Sequence, residues 1–419
     1  MKQTLAQNTD NNSKYQLSKK RDGSNSSKWP VKKLGEVCEF QRGLTYSKRD
    51  EVEFSDNIVL RSNNVDLLTK NLDFTELKYI NPEIHIPENK KVKKGSLLIC
   101  TANGSKSHLG KVALIDEDYN YAFGGFMGLL TPKKELYSKL LFYLMTSENY
   151  KNFIDKLSDG ANINNLKFSD LEKFPIPLPP LTEQKRIVAI LDEAFGEIEK
   201  VKVNTEQNLK NAKELFQSYL QGVFENKGDD WDEKKLGEIG SPKMCKRIFK
   251  EQTKTEGDIP FYKIGTFGKE PDAFISKEIY DEFRLKYSFP KKGDILISAS
   301  GTIGRCIRYD GKPAYFQDSN IVWIDNDEKH VLNDFLFEFY GVCNWGSTKG
   351  ATISRLYNDN LKNIKISFPK SLTEQKDIVQ RLDALRAETQ RLESIYRDKL
   401  LNLEELKKSI LQKAFSGEL

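Results

Sequence analysis

Histidine, cysteine and long apolar runs are scarce in this chain. Three histidines (His85, His108, His330) and five cysteines (Cys38, Cys100, Cys245, Cys306, Cys343) are scattered through 419 residues, with no Cys-x-x-Cys pair and no His/Cys grouping at metal-ligand spacing. This excludes a disulfide scaffold and the common zinc sites, and it suits thiols kept reduced in a cytosol. No apolar stretch has the length of a membrane span, and the polar N-terminus lacks the apolar core of a signal peptide. A cytoplasmic protein without membrane contact is expected. Nucleotide and methyl-transfer signatures are missing too: there is no glycine-rich fingerprint and no Asn-Pro-Pro-Tyr. The loop Asn103 to Lys111 is not a Walker A loop, because its glycines stand one residue too far apart and no Ser or Thr follows Lys111. With no metal site and no paired carboxylates, catalysis by this chain is not expected.

Charge is plentiful but nearly balanced. Lys and Arg number 66 against 61 Asp and Glu, a net +5, which by itself gives only mild attraction to a polyanion. The length admits two or three domains. Residues 1–28 are rich in Gln, Asn, Ser and Lys and read as a disordered basic arm.

After that arm the chain is written twice. Leu181-Thr182-Glu183-Gln184-Lys185 returns as Leu372-Thr373-Glu374-Gln375-Lys376, and Trp29 with Lys32-Lys33-Leu34-Gly35-Glu36 returns as Trp231 with Lys234-Lys235-Leu236-Gly237-Glu238. Lys94-Gly95-Ser96-Leu97-Leu98-Ile99 matches Lys292-Gly293-Asp294-Ile295-Leu296-Ile297, and Gly160-Ala161-Asn162-Ile163 matches Gly350-Ala351-Thr352-Ile353. A repeat this long exceeds the solenoid periods of about 20 to 50 residues, so each copy is a folding unit. The spacing between copies differs among these anchors, so the framework is shared and the insertions are private.

Each copy ends in a long helix. Pro175, Pro177, Pro179 and Pro180 precede the first and Pro369 the second, barring helix upstream. Thr182 and Thr373 are placed to cap, and Glu183 and Glu374 put negative charge at the positive end of the dipole. Ile187, Leu191, Ala194, Ile198, Val201, Thr205, Asn208, Ala212, Leu215 and Tyr219 then follow at alternating steps of four and three. Ile378, Leu382, Leu385, Thr389, Leu392, Tyr396, Lys399, Leu403, Leu406 and Ile410 repeat that register. Such stripes predict a coiled-coil seam, with Asn208 and Lys399 setting register. Connectivity makes the pair antiparallel. The expected fold is α+β: two similar domains joined by two long antiparallel coiled-coil helices, a pseudo-two-fold tandem repeat. The boundaries are 29–181 for the first domain, 182–226 for the first helix, 227–372 for the second domain and 373–419 for the second helix.

Within the domains, short strand-like runs alternate with glycine turns (Ile58 to Arg61, Ser96 to Thr101, Val112 to Ile115, then Ile295 to Ala299, Cys306 to Tyr309, Ile321 to Ile324), and Leu136 to Tyr150 and Val331 to Trp345 look helical. Two equivalent turns are small, donor-rich and basic: Asn103, Lys106 and Lys111 in one, Ser300, Thr302 and Arg305 in the other. Such side chains suit phosphates and base edges. Arg42, Arg61, Asn63, Asn64, Asn162, Asn164 and Lys167 join them in the first copy, and Lys246, Arg247, Lys263, Thr352, Ser354 and Arg355 in the second. For each of these, a solvated surface role is the alternative.

Trp29 with Lys33-Leu34-Gly35-Glu36, Gly95-Ser96-Leu97-Leu98-Ile99, Pro175-Ile176-Pro177-Leu178-Pro179-Pro180-Leu181-Thr182-Glu183-Gln184 and their second copies resemble the specificity subunit of Type I restriction-modification enzymes, over about residues 29 to 419. The resemblance implies two target-recognition domains, each reading half of a bipartite, asymmetric double-stranded DNA target, with the helices as a ruler for the unread spacer. It implies docking of two methyltransferase subunits, which carry S-adenosylmethionine chemistry, and of a motor-nuclease restriction subunit that uses ATP and Mg. No cofactor is then bound by this chain. The second copy departs in having Phe368-Pro369-Lys370-Ser371 where the first has the fuller proline run. A coiled-coil scaffold with two protein-binding domains is the alternative. A stand-alone nuclease would need a carboxylate cluster that is not found.

Overall fold

The computed structural model describes residues 29–158, 165–345 and 355–419. The expected N-terminal arm, residues 1–28, lies outside them. The chain divides into two units, one running to Lys202 and taking in Leu401–Leu419, the other Val203–Leu400.

In the first unit, β1 (Val31–Lys33) pairs antiparallel with β10 (Pro175–Pro177), tying the start of the domain to the proline run at its end. The short helix α1 (Leu34–Val37) follows; the Lys33 N–H donates to Glu36 Oε1 at 3.3 Å, and a side chain at Gly35 would lie 2.9 Å from Glu172. These contacts account for the Lys-Leu-Gly-Glu motif. A four-stranded antiparallel sheet runs β2 (Cys38–Arg42), β9 (Met127–Pro132), β6 (Leu97–Cys100), β7 (Val112–Leu114). A second sheet runs β3 (Glu51–Val52), β5 (Lys78–Ile80), β4 (Ile58–Leu60), β8 (Ala122–Phe123), with β4 and β8 parallel. All four residues of β6 are buried because the sheet is covered on both faces: Leu97 and Ile99 meet the helical core, Leu98 and Cys100 meet Leu60 and Phe123.

The second unit repeats this plan. Here β11 (Trp231–Lys235) pairs with β19 (Lys365–Pro369), and α6 (Leu236–Ile239) carries the same Lys-Leu-Gly-Glu contacts, Lys235 N–H donating to Glu238 Oε2 at 2.6 Å. The larger sheet is β12 (Gly240–Lys243), β18 (Ile321–Asn326), β15 (Ile295–Ser298), β16 (Cys306–Arg308); the smaller is β14 (Phe274–Ile275), β13 (Ile259–Tyr262), β17 (Tyr315–Phe316), with β13 and β17 parallel. The private helix α7 (Lys277–Lys286) is capped by Ser276 and was not foreseen.

The helix expected over Leu136 to Tyr150 is two helices, α2 (Ser138–Leu144) and α3 (Glu148–Ser158). Thr146 Oγ1 donates to Phe142 O and Ser147 Oγ to Leu144 O, at 3.0 and 2.6 Å; the hydroxyls take the last carbonyls and the first helix stops. The helix expected over Val331 to Trp345 is also shorter, α8 (Asn333–Tyr340), and ends at Gly341, whose N–H donates to Glu338 O at 3.0 Å. The short helices α4 (Phe168–Leu171) and α9 (Asn358–Asn363) complete the domains.

The long helices are α5 (Leu181–Glu225) and α10 (Leu372–Ser416), each 45 residues. Both begin one residue earlier than expected. Thr182 and Thr373 are exposed and do not cap; Pro180 O and Ser371 O accept from Gln184 N and Gln375 N at 3.0 and 3.1 Å. The residue of the motif that the fold uses is glutamine. Fully buried Gln184 donates to Glu135 O (2.7 Å) and Pro179 O (2.9 Å) and accepts from Tyr137 N (2.7 Å). Gln375 does the same with His330 O, Pro369 O and Leu332 N at 2.8, 2.8 and 2.9 Å. Each glutamine latches its helix to the segment that opens α2 or α8.

Antiparallel pairing shows in both units. In the first, Lys202 lies 3.3 Å from Glu404, Lys407 lies 3.2 Å from Glu199, and Arg186 donates to Leu419 O at 2.6 Å. In the second, the Arg386 guanidinium sits 4.7 Å from the Phe216 ring centroid and pairs with buried Glu338, which also holds Arg308 at 3.4 Å. The expected seam needs correction at Val201, Asn208, Leu215, Tyr219, Lys399 and Leu406, which are exposed. Leu209, Phe216, Leu220, Leu400 and Lys407, each one residue on, turn inward instead. Adjacent helical residues point about 100° apart, so the alternate seam position falls at +4 from Thr205 and Ala212, not +3. Ile187, Leu191 and Leu382 are buried at 2%, 0% and 0% exposure, and Ile378 and Leu392 are half-buried.

Candidate nucleic-acid interface

In each unit four chain segments meet at one end of the larger sheet's strands. In the first, Leu44 N–H donates to Phe123 O (2.7 Å), Gly43 N–H to Met127 O (3.2 Å), Thr101 N–H to Phe126 O (2.9 Å) and Leu166 N–H to Thr101 O (2.7 Å). The end of β2, the β6–β7 loop, the β8–β9 turn and the segment before α4 are thereby fixed together. A glycine is needed at Gly43, where a side chain would strike Gly124 O at 2.0 Å. In the second unit Ala299 N–H donates to Asn320 O (2.7 Å), Leu356 N–H to Ala299 O (2.8 Å), Arg355 to Ser319 O (3.2 Å) and Ser319 Oγ to Met244 Sδ, just after β12 (3.7 Å). The construction is the same with different side chains on it.

These segments bring together many of the residues singled out from the sequence, but with unequal freedom. Arg42 is exposed, its guanidinium 5.5 Å from the Phe168 ring centroid, and Lys106 and Lys167 are exposed. Asn103 donates to Ser62 Oγ at 2.9 Å. Arg61 is half-buried beside Tyr46, whose phenol burial pushes up and Arg61 pulls partly back. Two expectations fail in the first unit. Lys111 is buried and donates to Val65 O at 2.7 Å; burial lowers its pKa, and it holds a loop. Asn64 is 1% exposed and donates to Asp73 O and Glu76 O, so it supports the long insert between β4 and β5, whereas Asn63 is exposed and donates to Glu76 O at 3.1 Å. Asn162, Asn164, Thr352 and Ser354 lie outside the described residues.

The second unit has a cleft of about 760 Å³. Its cations are Arg247, Lys250, Lys254, Lys263 and Arg355, against the carboxylates of Asp272 and Asp318. Arg247 pairs with Asp318 at 2.9 Å and Lys263 with Asp272 at 2.8 Å, so the pairs set the walls and Lys250, Lys254 and Arg355 carry the surplus charge. Ser319, on the rim, has φ +59°, a conformation L residues seldom adopt. Lys246 is exposed, 5.0 Å from the Tyr287 ring centroid. Ser300 Oγ donates to Asn320 Oδ1 at 2.8 Å and Arg305 donates to Phe267 O at 2.8 Å; Thr302 is exposed. A positive, donor-rich concavity of this kind suits a phosphate backbone and base edges.

Sequence reasoning missed Phe126, Phe249, Tyr357, Lys250 and Lys254, of which the three aromatics are 74%, 59% and 63% exposed. Phe249-Lys250 opens a turn equivalent to Ser47-Lys48, a correspondence visible only once the strands are aligned. Among the described residues no group of three or more His, Cys, Asp or Glu could hold a metal ion, and no helix is long and apolar enough to cross a membrane.

The model of the type I restriction modification DNA specificity domain matches the chain twice, at residues 26–209 and 228–400. A putative type I restriction enzyme specificity subunit of Haemophilus influenzae is 44% identical over 295 residues, 66% of this chain and 75% of that protein. The EcoKI type I restriction enzyme specificity subunit of Escherichia coli is 26% identical over 93% of this chain and 89% of its own length. Among solved structures, a chain from work on complex assembly and conformational transition of the type I R-M system superposes with a TM-score of 0.75 at 21% identity, covering 93% of this chain and 98% of that one. The HsdS subunit from Thermoanaerobacter tengcongensis gives 0.61 at 21% identity, covering 93% and 97%.

Proposed function

The chain belongs to the family of type I restriction-modification DNA specificity subunits, and from that premise we propose that each domain reads one half of a bipartite, asymmetric DNA target. The observation that carries this reading is the four-segment cluster at the strand ends, built alike in both units and dressed differently: Arg42, Asn103 and Lys106 in one, Lys250, Lys254 and Arg355 around a cleft in the other. Equal frameworks with unequal side chains are what two different half-sites require. Helices α5 and α10 set the number of unread base pairs and present docking surface to two methyltransferase subunits, with a motor-nuclease subunit completing the assembly in the cytoplasm. S-adenosylmethionine, ATP and Mg belong to those partners. The chain recognises and does not catalyse. A scaffold with two protein-binding domains is not favoured by the family match.

The test is binding of the chain, assembled with its methyltransferase subunit, to a library of randomised duplexes. The expected result is a split motif and an affinity that falls steeply with salt. Replacing Lys250, Lys254 and Arg355 should alter one half of the motif and leave the other. Salt-insensitive binding with no enriched sequence would overturn the reading.

A further inference from the structure

Phe126, 74% exposed, stands in the β8–β9 turn of the first unit with its backbone locked. Its carbonyl accepts three hydrogen bonds, from Thr101 N–H (2.9 Å), Ala102 N–H (3.1 Å) and Thr101 Oγ1 (2.9 Å). Gly124 N–H donates to Leu60 O and Met127 N–H to Gly124 O, at 2.9 and 2.8 Å. The turn lies against the chain after β2: a side chain at Gly125 would be 3.4 Å from Leu44 O. Phe54, equally exposed at 76%, has Tyr79 as a ring neighbour at 5.2 Å; among the described residues Phe126 has no such aromatic neighbour. A large apolar ring is thus held out rigidly where packing does not need it.

The segments bonded to its turn carry polar and cationic side chains. Ala102, bonded to the Phe126 carbonyl, leads into Asn103 and Lys106, and Gly43, bonded to Met127, follows Arg42, whose own carbonyl accepts from Lys90 at 2.8 Å. A ring on a turn tied to segments that carry donors and cations does not resemble an apolar protein-docking patch. It suits a base: aromatic side chains stack on the faces of bases and can wedge into a base step, while nearby cations hold the phosphates. At the same strand register the second unit has Asn320, whose amide oxygen accepts from Ser300, on a turn one residue longer. At this turn the aromatic is private to the first copy.

Resting on the DNA-reading role proposed above, we propose that Phe126 stacks on a base of the half-site read by the first domain and unstacks one base step there, whereas the second domain has Asn320 and no aromatic ring at the equivalent turn. The test uses the chain assembled with its methyltransferase subunit and duplexes of the selected target carrying 2-aminopurine at successive positions of each half-site. Besides the base that each methyltransferase subunit draws out of the stack, wild type should raise the fluorescence at one further step, in the half-site read by the first domain. Phe126→Ala should abolish that rise and weaken binding about tenfold, with the slope of log affinity against log salt unchanged, because no phosphate contact is lost. Phe126→Trp should keep the rise. An alanine variant that binds like wild type, or one that no longer assembles with the methyltransferase subunit, overturns the wedge and leaves the DNA-reading role standing as long as wild type still selects its target. Failure of wild type to select any target overturns both.

Discussion

Gln375 offers the sharpest test of how the repeated motif works. Gln375→Ala removes a side chain with no solvent exposure and strands three backbone groups, the carbonyls of His330 and Pro369 and the N–H of Leu332. Each buried group left without a partner costs about 1–3 kcal/mol, and neighbouring losses do not add fully, so the expected destabilisation is about 3–5 kcal/mol. Gln375→Glu keeps an acceptor for Leu332 but points a carboxylate at two carbonyls, and it should be at least as damaging. Amide hydrogen exchange reads the effect locally. A 3 kcal/mol loss corresponds to about two decades of faster exchange at Leu332. The Tyr137 amide, held by Gln184 in the first unit, should be unaffected. Gln184→Ala should give the reverse pattern. Leu332 exchange within about threefold of wild type in Gln375→Ala would refute the latch, since an unmade bond of this kind shifts exchange by at least about fivefold.

Glu338→Ala leaves Arg308 and Arg386 facing each other without their shared carboxylate, and thermal or urea denaturation should show a loss of about 3 kcal/mol. Burial raises the Glu338 pKa more than the two arginines lower it. The folded state therefore holds its proton more tightly than the unfolded state, and this contribution to stability declines as pH rises from the ordinary glutamate range through the raised value. Glu338→Gln should remove that decline. Neutralising Lys250 and Lys254 should reduce the salt slope of DNA binding by about 1.8 if each meets one phosphate, whereas Lys111→Met should leave the slope unchanged and act on stability. Deleting one heptad from α5 and its partner stretch of α10, about 10 Å of helix, should shorten the preferred spacer by about three base pairs with both half-motifs retained.

Much of the fold was legible because the duplication displays its own framework: prolines before Leu181 and Leu372, and glycines that admit no side chain beside Glu172 and Lys362. The role of Gln184 was hidden because its partners, Glu135, Tyr137 and Pro179, offer backbone atoms, which sequence does not distinguish. Seam phase was ambiguous where apolar or amphipathic residues stand side by side, as at Leu215-Phe216 and Tyr219-Leu220, and packing chose the second of each. Lys111 reads as surface charge until Val65 O is seen to receive it. Phe126 reads as one more apolar residue of the run leading into β9, and only the turn geometry turns its ring outward.

The central claim is that this chain dictates where a methyltransferase partner acts. Mapping methylated positions across a host genome by single-molecule sequencing, with this gene and its neighbouring methyltransferase present and then with this gene deleted, tests it directly. The account predicts one split, asymmetric motif that disappears on deletion. An unchanged methylome, with the complex assembled and the methyltransferase active, would contradict it.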